Sequence, residues 1–182
     1  MEKIKIIKIL LLILFFPITL LGQNKVPRDK LTEKNNLIFY NNKLYTGISF
    51  TLHENEKKKQ VNKYVNGICT DRKEYDKNGQ LEEEGIYHHI TSRECGLWKT
   101  YHENGQVDKL IHYDSNGITG RVGEYKRYYE NGNLSTVGYY ELGMKQGIWK
   151  NFHKDGTLDS KQEYKDDILI KNIIGGEWII AD

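Results

Sequence analysis

The dipeptide Asn-Gly recurs five times, at Asn66-Gly67, Asn78-Gly79, Asn104-Gly105, Asn116-Gly117 and Asn131-Gly132, and Asp155-Gly156 adds a related signal. Both dipeptides tolerate the positive φ that a tight strand reversal demands, so each reads as a hairpin turn where alternating residues flank it. Reversals at such regular intervals confine the chain to short antiparallel strands. They constrain architecture strongly and chemistry hardly at all.

Most of these turns sit inside one recurring unit. Gly96-Leu-Trp98-Lys-Thr-Tyr101-His-Glu-Asn-Gly105-Gln-Val107 leads to Tyr113. Gly123-Glu-Tyr125-Lys-Arg-Tyr128-Tyr-Glu-Asn-Gly132-Asn-Leu134 leads to Tyr140, and Gly147-Ile-Trp149-Lys-Asn-Phe152-His-Lys-Asp-Gly156-Thr-Leu158 leads to Tyr164. The periods are 27 and 24 residues. Two degenerate units come first: Tyr75 through Gly79 and Leu81 to Tyr87, and Gly47 through Leu52 to Tyr64, with Glu56 in place of the turn glycine. Gly176-Glu-Trp178 looks like a closing half-unit. Self-similarity at this period marks an array. Each unit reads as strand, tight turn, strand, then a looser turn of the form Tyr-x-x-Gly. The expected fold is all-β, an extended antiparallel meander of repeated hairpins in a single-layer sheet of about ten or eleven strands. No proline occurs after Pro27 to interrupt ladder hydrogen bonds.

The first residues read as an address. Lys3, Lys5 and Lys8 precede an almost wholly apolar run from Ile9 to Leu21. That run is short for a membrane span, which needs about 20 apolar residues, and fits a secretory signal. The expected organisation is therefore a signal peptide over 1–22, a linker over 23–39 and the repeat array over 40–182, with periplasmic or extracellular localisation. Of 27 Lys+Arg and 25 Asp+Glu, the leader takes three lysines and one glutamate, leaving 24 of each. A neutral mature chain without a basic stripe is poorly suited to nucleic acid, where affinity rests on neutralising phosphates.

Side chains alternate across a strand, so turn length decides which residues share a face. A three-residue loop, Glu103 to Gly105, pairs Tyr101 with Val107, and the same loop pairs Tyr75 with Leu81, Tyr128 with Leu134 and Phe152 with Leu158. The turn glycines are Gly79, Gly105, Gly132 and Gly156. With Tyr87, Tyr113, Tyr140 and Tyr164 added, these pairs would form one structural ladder on one face. A two-residue loop would instead pair Trp98 with Ile111. The opposite face would carry Trp98, Tyr125 and Trp149 as an exposed column, the candidate interaction stripe, since exposed aromatics are favoured interface anchors. With 38% hydrophobic residues, part of them in the leader, no thick core is expected.

Cys69 and Cys95 occupy equivalent places in consecutive units. Equivalent positions lie two strands apart, about 9.5 Å, whereas a disulfide needs Cα atoms within about 7 Å. The loop from His88 to Cys95 could bend inward, so the pairing stays open. His53, His102 and His153 recur at one repeat position, too far apart to converge on one ion, and read as polar residues flanking turns. No nucleophile elbow, zinc-binding His-Glu-x-x-His or phosphate-cradling glycine loop is present. The sequence gives no catalytic, metal-binding or cofactor-binding residue, and the chain is expected to be no enzyme and to take no cofactor.

The unit Gly-x-Trp-x-x-Tyr-x-x-Asn-Gly-x-Leu, closing on Tyr-x-x-Gly, resembles the MORN repeat, and most of all the bacterial variant found in antitoxin-like repeat proteins. The resemblance covers roughly Tyr40 to Tyr164 and departs at Glu56, at Arg72 where an aromatic is missing, and in the leader. It implies a β-meander that serves as an interaction surface. The leading expectation is an exported protein-binding or scaffold module whose partner is another protein. The alternatives are an antitoxin-like protein that neutralises its partner by binding, and a membrane-surface module.

Overall fold

The computed structural model describes residues 24–91, 93–174 and 177–180. The segment 1–22 expected as a signal peptide therefore lies outside the described residues. From Gly47 onward the chain is a run of antiparallel strands, each paired with its sequence neighbours. These are β5 (Gly47–Leu52), β6 (Lys58–Val65), β7 (Ile68–Tyr75), β8 (Leu81–Tyr87), β9 (Glu94–Tyr101) and β10 (Val107–Tyr113). They continue as β11 (Arg121–Tyr128), β12 (Leu134–Glu141), β13 (Met144–Phe152), β14 (Leu158–Lys165), β15 (Ile168–Ile174) and β16 (Glu177–Ile180). The open meander of hairpins read from the sequence is the fold observed. The sheet has 13 strands, because β1 (Lys25–Pro27) adds a parallel edge against β5.

The segment expected as a linker is structured. After β1 comes one 3-10 turn, Arg28–Lys30, and then a small second sheet of β2 (Thr32–Lys34), β3 (Leu37–Tyr40) and β4 (Lys43–Leu44). The Ile38 amide donates to the Gly67 carbonyl, and the Gly67 amide to the Tyr45 carbonyl, which ties this sheet to the β6–β7 turn. Val26, Leu31, Ile38, Tyr45 and Tyr64 form a buried apolar cluster beneath it, with Cys69 packed alongside. Apolar residues too few to make a core within one hairpin thus make one by folding the N-terminal strands over the sheet.

The hairpin loops have the length the sequence suggests. The His102 amide donates to the Gln106 carbonyl at 2.8 Å, the Gly105 amide to the His102 carbonyl at 2.9 Å, and Tyr101 faces Val107. One residue later the register departs from the simple alternation. Lys109 pairs with Thr100 and Ile111 with Trp98, so Asp108 is an extra residue in the ladder, a β-bulge. The same shift follows the other loops, leaving Lys59, Glu82, Ser135 and Asp159 as the surplus residues. One inserted residue reverses the facing of everything beyond it. The expected single ladder is corrected accordingly. Tyr75, Leu81, Tyr101, Val107, Tyr128, Leu134, Phe152 and Leu158 stay on one face, here face B. Tyr87, Tyr113, Tyr140 and Tyr164 cross to the other, face A, beside Trp98, Tyr125 and Trp149.

The turns on the opposite margin of the sheet are tighter than expected. Asn66-Gly67, Leu142-Gly143 and Asp166-Asp167 are two-residue connections with positive φ at both positions. This is the twist-matched hairpin turn, and it welcomes Asn, Asp and Gly.

Candidate binding faces and cleft

Face A is a column of rings. Trp98 lies 5.0 Å from Tyr87 and 6.5 Å from Tyr113 between centroids, both edge-on. Trp149 lies 5.4 Å from Tyr125, 5.0 Å from Tyr140 and 6.3 Å from Tyr164. Edge-to-face pairs of this kind add about 0.5–1.5 kcal/mol each beyond their buried area. The two indoles reach the sheet because glycine stands opposite them. A Cβ on Gly85 would fall 2.3 Å from Trp98 Cδ2, and one on Gly138 2.1 Å from Trp149 Cδ2. The Trp98 Nε1–H donates to the Ile86 carbonyl at 3.0 Å. Cations cover the column from outside: Lys145 Nζ is 4.5 Å from the Trp149 ring centre and 4.7 Å from that of Tyr164, and Arg121 Cζ is 5.4 Å from that of Tyr140.

Trp98 and Trp149 are consequently only 5% and 3% exposed, and Tyr125 is half-buried. The expectation of an exposed contact stripe at Trp98, Tyr125 and Trp149 is corrected on this point. Their neighbours bury them because the bulges bring the second tyrosines onto the same face. The sequence signal for this was the pair of glycines Gly85 and Gly138, each two residues before a ladder tyrosine.

Face B is open. Along the hairpin-loop margin, Tyr101, Val107, Leu110, Tyr128, Leu134 and Phe152 are half-buried and Leu158 is exposed. Val107, Leu110 and Tyr128 line a shallow apolar depression of about 270 Å³. Leu97, Tyr139 and Ile148 stand further out on this face, 41%, 52% and 43% exposed. Face B also carries one ionic cluster. The Tyr101 hydroxyl donates to Glu84 at 2.7 Å, and Lys99 and Lys73 each reach Glu84 at 3.0 Å. Partial burial alone would push the Glu84 carboxyl up, but these three donors outweigh it and hold it at about 2. Burial, with the hydrogen bond to Glu84, pushes Tyr101 up to about 12.

Two of the three repeat-position histidines, His53 and His102, are structural links between loops, whereas His153 faces Asp159 of its own hairpin at 3.4 Å. Nε2 of His53 and of His102 sits 2.8 Å from the carbonyls of Tyr75 and Tyr128 in the following hairpin, a contact that requires the proton on Nε2. At the equivalent place the Tyr129 hydroxyl donates to the Phe152 carbonyl at 2.7 Å. Asn104 and Asn131 extend the same lacing by donating Nδ2 to the carbonyls of Glu130 and Lys154. Among the described residues no group of three or more His, Cys, Asp or Glu side chains is placed to hold a metal ion. Cys69 and Cys95 are free thiols, and burial pushes both up from the ordinary thiol value.

Where the N-terminal sheet overhangs face A there is a cleft of about 350 Å³ that sequence reasoning did not single out. Tyr64, Tyr87, Asn62, Cys69 and Arg72 form its sheet side, Ile38, Asn36, Arg28 and Glu33 its overhang, and His88 and His89 its far rim. It exists because Arg72 occupies the place that Trp98, Tyr125 and Trp149 fill in later units. The missing aromatic was the legible signal.

These faces belong to a protein of the β-hairpin repeat class, an open sheet of consecutive hairpins. Residues 70–89, 94–115, 121–142 and 145–166 match the family described as MORN repeat variant, four matches in succession. The unit from Gly47 to Tyr64 has the same strands and loop but lies before the matched segments. No curated protein shows significant similarity to the chain. Among solved structures, one similar chain comes from the GtfA/B complex bound to UDP and GlcNAc, at 12% identity and a TM-score of 0.30. That match covers 60% of this chain and 23% of that one, and carries no argument about function.

Proposed function

We propose that the protein is an exported, non-catalytic module that binds a partner protein along face B. The observation that carries this reading is the contrast between the two faces. Face A closes over its own aromatics, whereas face B leaves a continuous row of half-buried tyrosine, valine, leucine and phenylalanine side chains uncovered among the described residues. Contiguous uncovered apolar side chains mark interaction sites. The presence of MORN-variant repeats supports a binding role, and the basic-then-apolar pattern of the first 22 residues supports export.

The test uses two exposed positions that the fold does not need. A Leu97→Glu/Tyr139→Glu double variant should keep the β-type circular dichroism and melting temperature of the wild type. It should lose proteins that the wild type captures from the native host's cell envelope. An unchanged set of captured proteins would refute binding through face B.

A further inference from the structure

We propose that the fold selects one of the five Asn-Gly dipeptides, Asn116-Gly117, for deamidation with water as the only co-reactant, leaving isoaspartate at position 116. The inference goes beyond binding through face B, because it concerns a covalent change on the sheet margin opposite the hairpin loops.

The reaction needs a releasable backbone N–H and an unrestrained side-chain amide. The Gly117 nitrogen gives up its proton and bonds to Asn116 Cγ, and the Cγ–Nδ2 bond breaks, Nδ2 leaving as ammonia. Water then opens the succinimide. Addition at Cγ gives aspartate. Addition at the Asn116 main-chain carbonyl breaks its bond to the Gly117 nitrogen and gives isoaspartate, with the chain running through Cγ. An amide and a water are consumed, and a carboxylate and an ammonium ion are formed. Glycine allows the ring to close because it places no Cβ beside the attacking nitrogen. All five dipeptides meet that condition, so the fold is what separates them.

Asn104 and Asn131 are held at both ends of the side-chain amide. Their Nδ2 groups donate to the Glu130 and Lys154 carbonyls at 2.7 Å and 2.8 Å, and their Oδ1 atoms accept from the Gln106 and Asn133 amides at 3.0 Å. Asn78 Nδ2 reaches the Asp76 carboxylate at 3.4 Å, and Asn66 Oδ1 accepts from the Thr46 hydroxyl at 3.5 Å. Asn116 is exposed, and its side chain makes no hydrogen bond among the described residues. The attacking nitrogen differs in the same direction. The Gly67, Gly79, Gly105 and Gly132 amides donate to carbonyls at 2.8 Å, 3.0 Å, 2.9 Å and 2.9 Å, whereas the Gly117 amide reaches the Asp114 carbonyl at 3.2 Å. Each of these bonds must open before the nitrogen can lose its proton, and the longest opens most readily. Asn116-Gly117 also lies in the longest connection of the meander, residues 114–120 between β10 and β11, and local opening is easiest in such segments. The product fits less well than the parent. A Cβ on Gly117 would fall 2.6 Å from Thr91 Oγ1 and 3.0 Å from His88 Cβ. An extra backbone carbon ahead of Gly117 therefore pushes on the loop between β8 and β9.

The experiment incubates the full chain at mildly alkaline pH in ¹⁸O-labelled water, folded and in guanidinium, and maps the incorporated label by peptide mass spectrometry. In the folded protein Asn116 should convert at least tenfold faster than Asn104 and Asn131, with isoaspartate the major product. In guanidinium the five rates should draw level, since only the shared Asn-Gly sequence then remains. Asn104 or Asn131 converting as fast as Asn116 in the folded protein overturns the proposal. So does a lead for Asn116 that persists in guanidinium, because the selectivity would then belong to neighbouring residues rather than to the fold. The isoaspartate form, separated by ion exchange, should exchange amide hydrogens faster over residues 88–91 than an Asn116→Asp variant, which adds the charge without lengthening the chain. Equal exchange in the two overturns the effect on the loop between β8 and β9. The rate comparison on the wild type needs no variant, and its failure leaves partner capture through face B untouched.

Discussion

Glu56 stands where the other loops place glycine, and it adopts φ 64 all the same. For a residue with a Cβ this left-handed conformation costs about 1–2 kcal/mol. Glycine also gains entropy in the unfolded chain, which offsets part of that. Glu56→Gly should therefore stabilise the protein by up to about 1 kcal/mol, read as a higher denaturant midpoint at unchanged slope. The opposite change at Gly138 is severe. An alanine methyl there would overlap the Trp149 ring, and displacing a buried indole from its column should cost about 1–3 kcal/mol by the same measurement. Glu84 sets a pH dependence. Its carboxyl titrates at about 2 in the folded protein, below the ordinary glutamate value of about 4.3. The cluster's contribution is complete above the unfolded value and is lost as pH falls from there toward 2. Wild type should melt above Glu84→Gln at pH 7, and the gap should close on acidification through that window.

Between the residue and the sheet, the recurring element is a loop followed by a bulge. Deleting Asp108 would remove the surplus residue and realign β10. Ile111 and Tyr113 would be driven to face B, away from Trp98, and the Asp108 contacts to Arg127 at 3.0 Å and Lys109 at 3.3 Å would vanish. The expected outcome is loss of the Trp98 near-ultraviolet dichroism and a lower melting temperature, while the far-ultraviolet β signal is retained. The bulge also explains what was legible in the sequence. Turn positions and loop length follow from Asn-Gly and Asp-Gly chemistry, which is local, and strand number and order follow from the repeat. Facing does not, because a bulge leaves no mark in an alternating pattern: Tyr101 and Tyr113 look equivalent and lie on opposite sides of the sheet. The cleft was readable only as an absence, Arg72 in an aromatic's place. The covering N-terminal strands were not readable, because Asn35-Asn36 and Asn41-Asn42 form their turns without the glycine that marks most of the others.

At the scale of the whole molecule, each strand from β6 to β15 touches its two neighbours and little else. Stability in such a ribbon is close to a sum of units and their nearest-neighbour contacts. Excising residues 121–144, one period, should leave a folded shorter sheet with a smaller denaturant slope, because less surface is exposed on unfolding. Loops are laced along both margins, through His102, Tyr129, Asn104 and Asn131 on one, and on the other by the Gly143 amide donating to the Arg121 carbonyl at 2.9 Å and the Asp167 amide to the Lys145 carbonyl at 3.1 Å. A ribbon stitched along both selvedges still gives way from its ends. Tension applied through the ends of the chain meets the strand pairs one after another and peels them like a zip, so the force needed is set by one hairpin whatever the length of the array. A single-molecule extension trace should therefore be a sawtooth of near-equal low peaks, one for each unit released.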